Sequence, residues 1–132
     1  MKSTMRQLHR ILVGLIGIAV FVQFFSAGLW HSGVTQTPEF HVFTGLGIVL
    51  ASLIALIAAV AGKLPRPVIT MTAIVFVLIL LQPILIEQRR AGLPLISALH
   101  PLNGGIIGML SGKLAAMRAP EVETTAVPAA AD

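Results

Sequence analysis

The sequence contains no cysteine, no tyrosine and few charged residues. Only 11% of its 132 residues are Asp, Glu, Lys or Arg and 56% are hydrophobic, whereas about a quarter of an average soluble domain is charged. The missing cysteines exclude disulfides, cysteine-ligated zinc, iron–sulfur clusters and thiol catalysis, and the missing tyrosines exclude a tyrosyl radical. This composition excludes an ordinary soluble globule and a nucleic-acid-binding protein.

Long apolar runs make up most of what remains. Four runs without a charged residue cover residues 11–30, 41–62, 67–86 and 94–112, and a membrane-crossing helix needs about 20 such residues. Because backbone groups in lipid must satisfy their hydrogen bonds internally, the runs are predicted to be helices. Their short connections favour antiparallel neighbours. We therefore predict an all-α membrane domain over residues 1–118, an up-down bundle of four transmembrane helices, and a disordered low-complexity tail over 119–132.

The distribution of basic residues predicts the orientation of this bundle. One face collects Lys2, Arg6, Arg10, Lys63, Arg66, Lys113 and Arg118, and the other only Arg89 and Arg90. The positive-inside rule then places both termini in the cytoplasm. The first run is long for a secretory signal and no A-x-A site follows it, so it is predicted to remain as a span. The expected location is the inner (plasma) membrane, with the lipid bilayer as partner.

Polar side chains within the spans lie mainly toward the outward face. At 1.5 Å per residue, the amide and imidazole groups fall in the outer half of each helix, where such groups usually face the bundle interior. Small residues at helical spacing accompany them, and small residues let helices approach or leave room for a planar guest. The candidate binding residues are Gln23, His41, Gly45, Gln82, His100, Asn103 and Gly104. The row Gly104, Gly108 and Gly112 is predicted to serve helix packing.

Two histidines that face each other across a bundle core suggest a bis-histidine haem b site. Its iron ligands would be His41 and His100, and the amides would orient the rings or bind a propionate. Arg89 and Arg90 would neutralise propionates at the surface. Hydrogen bonding between helices, quinone binding and proton transfer are alternatives, whereas zinc is disfavoured because only Glu39 lies near.

The two other histidines are predicted to lie outside the site. His9, beside Arg10, is expected on the surface, and His31 is expected at a solvated helix end. The spans contain no Asp or Glu for acid–base work and no hydrolase or phosphate-binding motif. The protein is therefore predicted to act without catalysis, as a redox carrier or as a structural or partner-binding subunit. A redox partner, a quinone or a second copy are the candidate partners.

Four short motifs carry a resemblance to a known group of proteins. They are Q-F-F-S-A-G-L at residues 23–29, His41 with Gly45, L-Q-P at residues 81–83 and L-H-P-L-N at residues 99–103. In this order and spacing they resemble a domain-of-unknown-function family of small bacterial four-helix membrane proteins, over residues 8–117. The resemblance implies the fold and the polar positions, and no activity.

A second, architectural likeness is to the halves of haem A synthase and to b-type membrane cytochromes. Those proteins place one histidine at the outer end of the second helix and another on the fourth, which His41 and His100 match. The synthase halves also carry a glutamate one turn before the first histidine. Glu39 lies only two residues before His41, so this part of the pattern is absent.

Overall fold

A computed structural model describes residues 1–117 and contains only helices over that range. The helices are α1 (Lys2–His31), α2 (Glu39–Ala61), α3 (Arg66–Glu87), α4 (Pro94–Ser97) and α5 (Leu99–Ala116). The prediction of an all-helical chain is confirmed. The predicted tail at 119–132, with Arg118 before it, lies outside the described residues.

Three of the described helices are long and apolar enough to cross a membrane, namely α1, α2 and α3. This confirms the prediction of a multi-pass membrane protein at that level. Helix α5 is shorter, with 18 residues, and four of them are glycine. Lys113 and the polar pair His100 and Asn103 further lower its hydropathy. At 1.5 Å per residue it is about 27 Å long, close to the roughly 30 Å hydrocarbon thickness.

The fourth predicted span differs from the structure at its beginning. A single helix was expected over residues 94–112, but the chain forms the one-turn helix α4 and then starts α5 at Leu99. Pro101 explains the break, because its nitrogen carries no hydrogen for the carbonyl of Ser97 and its ring crowds that carbonyl. The helix that carries His100 therefore begins only one residue before it.

The four long helices pack in a ring. Helix α1 contacts α2 and α5, and α3 contacts the same two helices. At one end Arg6 Nε donates to the carbonyl oxygen of Gly62 at 2.9 Å, and at the other Gln23 Nε2 donates to that of His41 at 3.0 Å. Helices α1 and α2 are therefore antiparallel. We call the two ends the basic end, which contains Arg6 and the α2–α3 turn, and the histidine end, which contains His41 and His100.

The interior is built mainly from branched aliphatic side chains, with alanines and hydroxyls, and the exterior is strongly apolar. Ala55 and Ser111 are fully buried, whereas Phe21 and Phe25 on α1 are 74% and 68% exposed. Helices α1 and α5 pack closely at Gly17, where a Cβ would be in van der Waals contact with the backbone nitrogen of Gly112 at 3.7 Å. An exposed apolar surface of this extent is typical of a face that contacts lipid.

Candidate functional site

The first part of the site is a reciprocal hydrogen-bonded pair between α1 and α2. His41 Nδ1 lies 3.2 Å from the carbonyl oxygen of Gln23, and the Gln23 side-chain amide donates back to the carbonyl oxygen of His41 at 3.0 Å. The same amide nitrogen donates to Thr44 Oγ1 at 2.8 Å. That hydroxyl donates in turn to the carbonyl oxygen of Phe40. The donor role of the Gln23 nitrogen is therefore fixed by its two acceptors.

The second part is an equivalent pair between α3 and α5. His100 Nδ1 lies 3.1 Å from the carbonyl oxygen of Gln82. When the Gln82 amide is oriented to satisfy the two nearby backbone groups, its nitrogen donates to the carbonyl oxygen of His100 at 3.0 Å and its oxygen accepts from the Gly104 backbone nitrogen at 3.3 Å. This orientation gives up the bond that Asn103 Nδ2 donates to Gln82 Oε1 at 3.2 Å in the other one. Asn103 Nδ2 donates to the carbonyl oxygen of Leu78 at 2.8 Å. The predicted role of the histidines in hydrogen bonding between helices is confirmed.

The two imidazole rings face a common space with one nitrogen each still free. Their centroids are 6.1 Å apart and their planes are inclined by 50°. A carbonyl oxygen only accepts, so we assign the proton of each neutral ring to Nδ1 and the lone pair to Nε2. The Ser26 hydroxyl, 3.2 Å from His41 Nδ1, agrees with this assignment because it donates to the carbonyl oxygen of Gln23 at 2.9 Å. Within residues 1–117, neither Nε2 has a hydrogen-bond partner. Both unprotonated nitrogens are therefore available to a ligand.

A cavity of about 260 Å³ lies beside the two rings. Four of its lining residues are polar, namely Gln23, Gln82, His41 and His100, and the others are apolar side chains or glycines of α1, α2, α3 and α5. Asn103 does not line it. The Gln23 Oε1 atom is buried without a partner. The groups that remain free at this site are thus acceptors, which suits a metal centre or a ligand that donates hydrogen bonds.

The two predicted glycines lie next to the glutamine amides. A Cβ at Gly45 would lie 3.4 Å from the terminal amide of Gln23, and one at Gly104 would lie 3.3 Å from that of Gln82 and from the ring of Phe24. Contacts at 3.3–3.4 Å leave little space for a larger side chain. These glycines therefore allow the glutamines to reach their histidines, and both also line the cavity.

The outer charges and His31 lie apart from the cavity. Arg90 forms an exposed ion pair with Glu87 at 3.1 Å, and Arg89 is also exposed in the segment between α3 and α4. Neither arginine lines the cavity. His31 is exposed at the end of α1 beside Trp30, with ring centroids 4.9 Å apart, as predicted for a solvated helix end.

The prediction for His9 is wrong. His9 is only 3% exposed, and its Nε2 lies 2.9 Å from Thr72 Oγ1. That hydroxyl donates to the carbonyl oxygen of Val68 at 2.8 Å, so it accepts from His9. The signal in the sequence is the helical spacing of His9 with Val13 and Ile16, which are also buried. Hydropathy alone missed it because two arginines flank this turn.

No family model, curated protein or solved structure matches this chain. The resemblance to a domain-of-unknown-function family therefore stays a prediction, and the site must be interpreted from its own chemistry. Within residues 1–117 no group of three or more His, Cys, Asp or Glu side chains could hold a metal ion. Two imidazoles alone suit a metal that brings its other ligands with it, as the iron of haem does.

Proposed function

We propose that the protein is a four-span membrane protein in which α5 completes the bundle. The exposed apolar side chains of α1, α2 and α3 support a lipid-facing exterior. Six basic residues of the described chain lie at or near the basic end: Lys2, Arg6, Arg10, Lys63, Arg66 and Lys113. By the positive-inside rule this end faces the cytoplasm, which puts both termini there and the histidine end outside. The bacterial inner membrane is the location that we propose.

We infer that the histidine end binds haem b, with His41 and His100 as axial ligands, and that the protein carries electrons. The observation that carries this inference is the pair of free Nε2 atoms on one cavity. Each ring already donates Nδ1–H to a backbone carbonyl, the usual outer-shell contact of a ligating histidine. Nitrogens on opposite sides of one iron are about 4 Å apart. Ring centroids lie further apart than these nitrogens, which agrees with the observed 6.1 Å.

The size of the cavity shows what binding would require of the helices. Ligand pockets usually measure about 300–1,000 Å³, and this cavity of about 260 Å³ lies below that range. The helices would have to separate at the histidine end, where Phe24 and the two glutamine side chains now fill the space. When bound, haem supplies one-electron oxidation and reduction. The electrons would pass to a redox partner, either a protein or a membrane quinone.

An absorption spectrum tests the proposal directly. Protein purified in detergent from haem-replete cells is expected to show a Soret band and, after dithionite reduction, a sharp α band. The variants His41→Ala and His100→Ala are expected to lose the reduced α band of a six-coordinate haem. His31→Ala, which removes an exposed histidine near the same end, serves as the control and should retain it. Colourless wild-type protein would refute haem binding.

A second candidate is a structural or partner-binding subunit, in which the histidines serve only to join helices. The reciprocal bonds between Gln23 and His41 favour it, because they cross-link α1 and α2 without any ligand. In that case His100→Ala would lower the thermal midpoint of a protein that never carries a chromophore. A second copy of the chain is the partner that this candidate would use, and sedimentation in detergent would show it.

A further inference from the structure

The residues of the histidine site recur along the chain at one constant spacing. Adding 59 to a residue number carries Gln23 to Gln82, His41 to His100 and Gly45 to Gly104 without a gap. The same spacing relates further identical pairs, which are Gly33 with Gly92, Ile48 with Ile107 and Ser52 with Ser111. The other residues differ, so the repeat is carried by its site and its buried positions.

Burial follows the same spacing. The hydrophobic pairs Ile16 with Val75, Val20 with Ile79, and Ile48 with Ile107 are buried in both members, as are the serines 52 and 111. Every buried residue from Thr72 to Leu114 corresponds to a position between 13 and 55 that is buried or half-buried. The same face of each helix therefore points inward in α1–α2 and in α3–α5.

The turn between the two helices of each unit also repeats. Gly33 and Gly92 both have φ +78°, a conformation that glycine adopts without steric cost. The Gly33 nitrogen donates three residues back at 3.0 Å and the Gly92 nitrogen does so at 3.2 Å. The next residues, Val34 and Leu93, each donate five residues back at 2.9 Å. Both units thus leave their first helix through the same left-handed turn.

The hydrogen bonds of the site repeat with nearly the same distances. His41 Nδ1 and His100 Nδ1 lie 3.2 Å and 3.1 Å from the carbonyl oxygens of their glutamines. With the Gln82 amide in the orientation that satisfies the His100 carbonyl and the Gly104 nitrogen, both glutamines donate to the carbonyl oxygens of their histidines at 3.0 Å. The helix contacts agree, because exchanging α1 with α3 and α2 with α5 reproduces the observed set of neighbours among the four long helices.

We propose that the chain is a tandem duplication of a two-helix unit, and that its ligand lies on the pseudo-twofold axis between two equivalent His–Gln half-sites. Parallel repeats related by an axis along the membrane normal are a known arrangement in membrane proteins. The identity of the ligand rests on the proposed function. The symmetry adds the chemical class of that ligand. It is one that is bound equally from two opposite faces, such as a metal in a planar macrocycle, and not one that is recognised from a single side.

The repeat of polar groups does not extend to the basic end. At the basic end the hydrogen-bonded pair His9 and Thr72 corresponds, after the shift of 59, to the apolar pair Val68 and Val13. A duplicated core has no physical need to keep identical polar groups, because many side chains of suitable volume can fill it. Identity at the site, with divergence elsewhere, supports selection for two equivalent ligand donors.

Haemin titration of the full-length protein in detergent tests the equivalence of the two half-sites. His41→Met and His100→Met are the variants, because Met is an uncharged haem ligand of suitable size for an apolar core. We expect one haemin per chain, spectra of the two variants that match each other, and dissociation constants within about threefold. A variant pair in which one member binds like the wild type and the other does not bind would overturn the inference.

Thermal unfolding without ligand separates this inference from the proposed function. Gln23→Leu and Gln82→Leu each remove the amide that donates to the histidine carbonyl of one half-site, and we expect both to lower the thermal midpoint. Gln88→Leu, at an amide that bonds only its own helix, is the control and should leave the midpoint unchanged. If haemin does not bind while both variants lower the midpoint, the proposed function fails and the duplication of half-sites stands. One variant that melts like the control while the other is destabilised would refute equivalent half-sites.

Discussion

The buried pair at the basic end offers a sharp test of the packing argument. Thr72→Val changes one hydroxyl for a methyl and leaves the shape of the side chain. It removes the acceptor of His9 Nε2, which lies 2.9 Å away, inside a core where His9 is 3% exposed. A buried polar group without its partner costs about 1–3 kcal/mol.

The complementary variant is expected to cost less. In His9→Leu the Thr72 hydroxyl still donates to the carbonyl oxygen of Val68 at 2.8 Å, so no buried group loses its last partner. The loss is one hydrogen bond, about 0.5–1.5 kcal/mol. The double variant replaces both polar side chains by apolar ones, and the pair at the equivalent positions of the repeat, Val68 and Val13, is already apolar. It should therefore be more stable than the sum of the single effects implies, by about 1–2 kcal/mol.

Chemical unfolding of the four proteins in detergent, followed by circular dichroism, measures this coupling. Thr70→Val is the control, because the same change is made two residues away on the exposed side of α3 and should alter the free energy of unfolding by less than about 0.5 kcal/mol. Additive effects of the two single variants would refute the reasoning, since they would mean that His9 and Thr72 do not depend on each other.

Two further predictions use matched pairs on the helices. Gly45→Val should lower the free energy of unfolding by about 1–3 kcal/mol, because a Cβ there meets the amide of Gln23 at 3.4 Å. Gly47→Val, with open space around the glycine, should change it by less than about 0.5 kcal/mol. Equal effects at the two glycines would contradict the close approach. Ser111→Ala should be neutral or stabilising, because its buried Oγ has no partner. Ser52→Ala should lower the free energy of unfolding by about 0.5–1.5 kcal/mol, because the Ser52 Oγ donates to a backbone carbonyl at 2.8 Å. Thermal melts in detergent compare the stabilities of the two serine variants.

The three apolar helices were predictable because lipid imposes a strong constraint on composition. The predicted spans 41–62 and 67–86 end within two residues of α2 and α3. Helix α1 begins nine residues before its predicted span, because a helix that leaves the apolar run can continue through Arg6 and Arg10 without a change of backbone. The extra turns bury His9. A hydropathy average cannot detect this, because it does not record which face of the helix a polar residue occupies.

The location of the candidate site was also predictable, but not its bonding. Depth along each span placed Gln23, His41, Gln82 and His100 at the same end, and the cavity includes all four. The acceptors of the two imidazoles are backbone carbonyls, which every residue possesses and which no sequence pattern marks. The repeat of 59 residues was equally hidden, because only a few site and core positions are identical and the apolar filling has diverged. Geometry identified it through the shared turn and the matching distances.

The hydrogen-bonding role of the histidines and their proposed ligand-binding role use different ring nitrogens, and one substitution can separate them. In His100→Asn the side-chain amide nitrogen takes a place near that of Nδ1 and can still donate to the carbonyl oxygen of Gln82, which now lies 3.1 Å from the ring. The variant has no counterpart of Nε2. If His100 ligates iron, His100→Asn should keep the thermal midpoint of the ligand-free protein and lose the six-coordinate haem spectrum, whereas His100→Ala should lose both. An Asn variant that keeps the wild-type haem spectrum would show that His100 is not a ligand, and one as unstable as His100→Ala would show that Nδ1 donation is not what stabilises this end of the bundle.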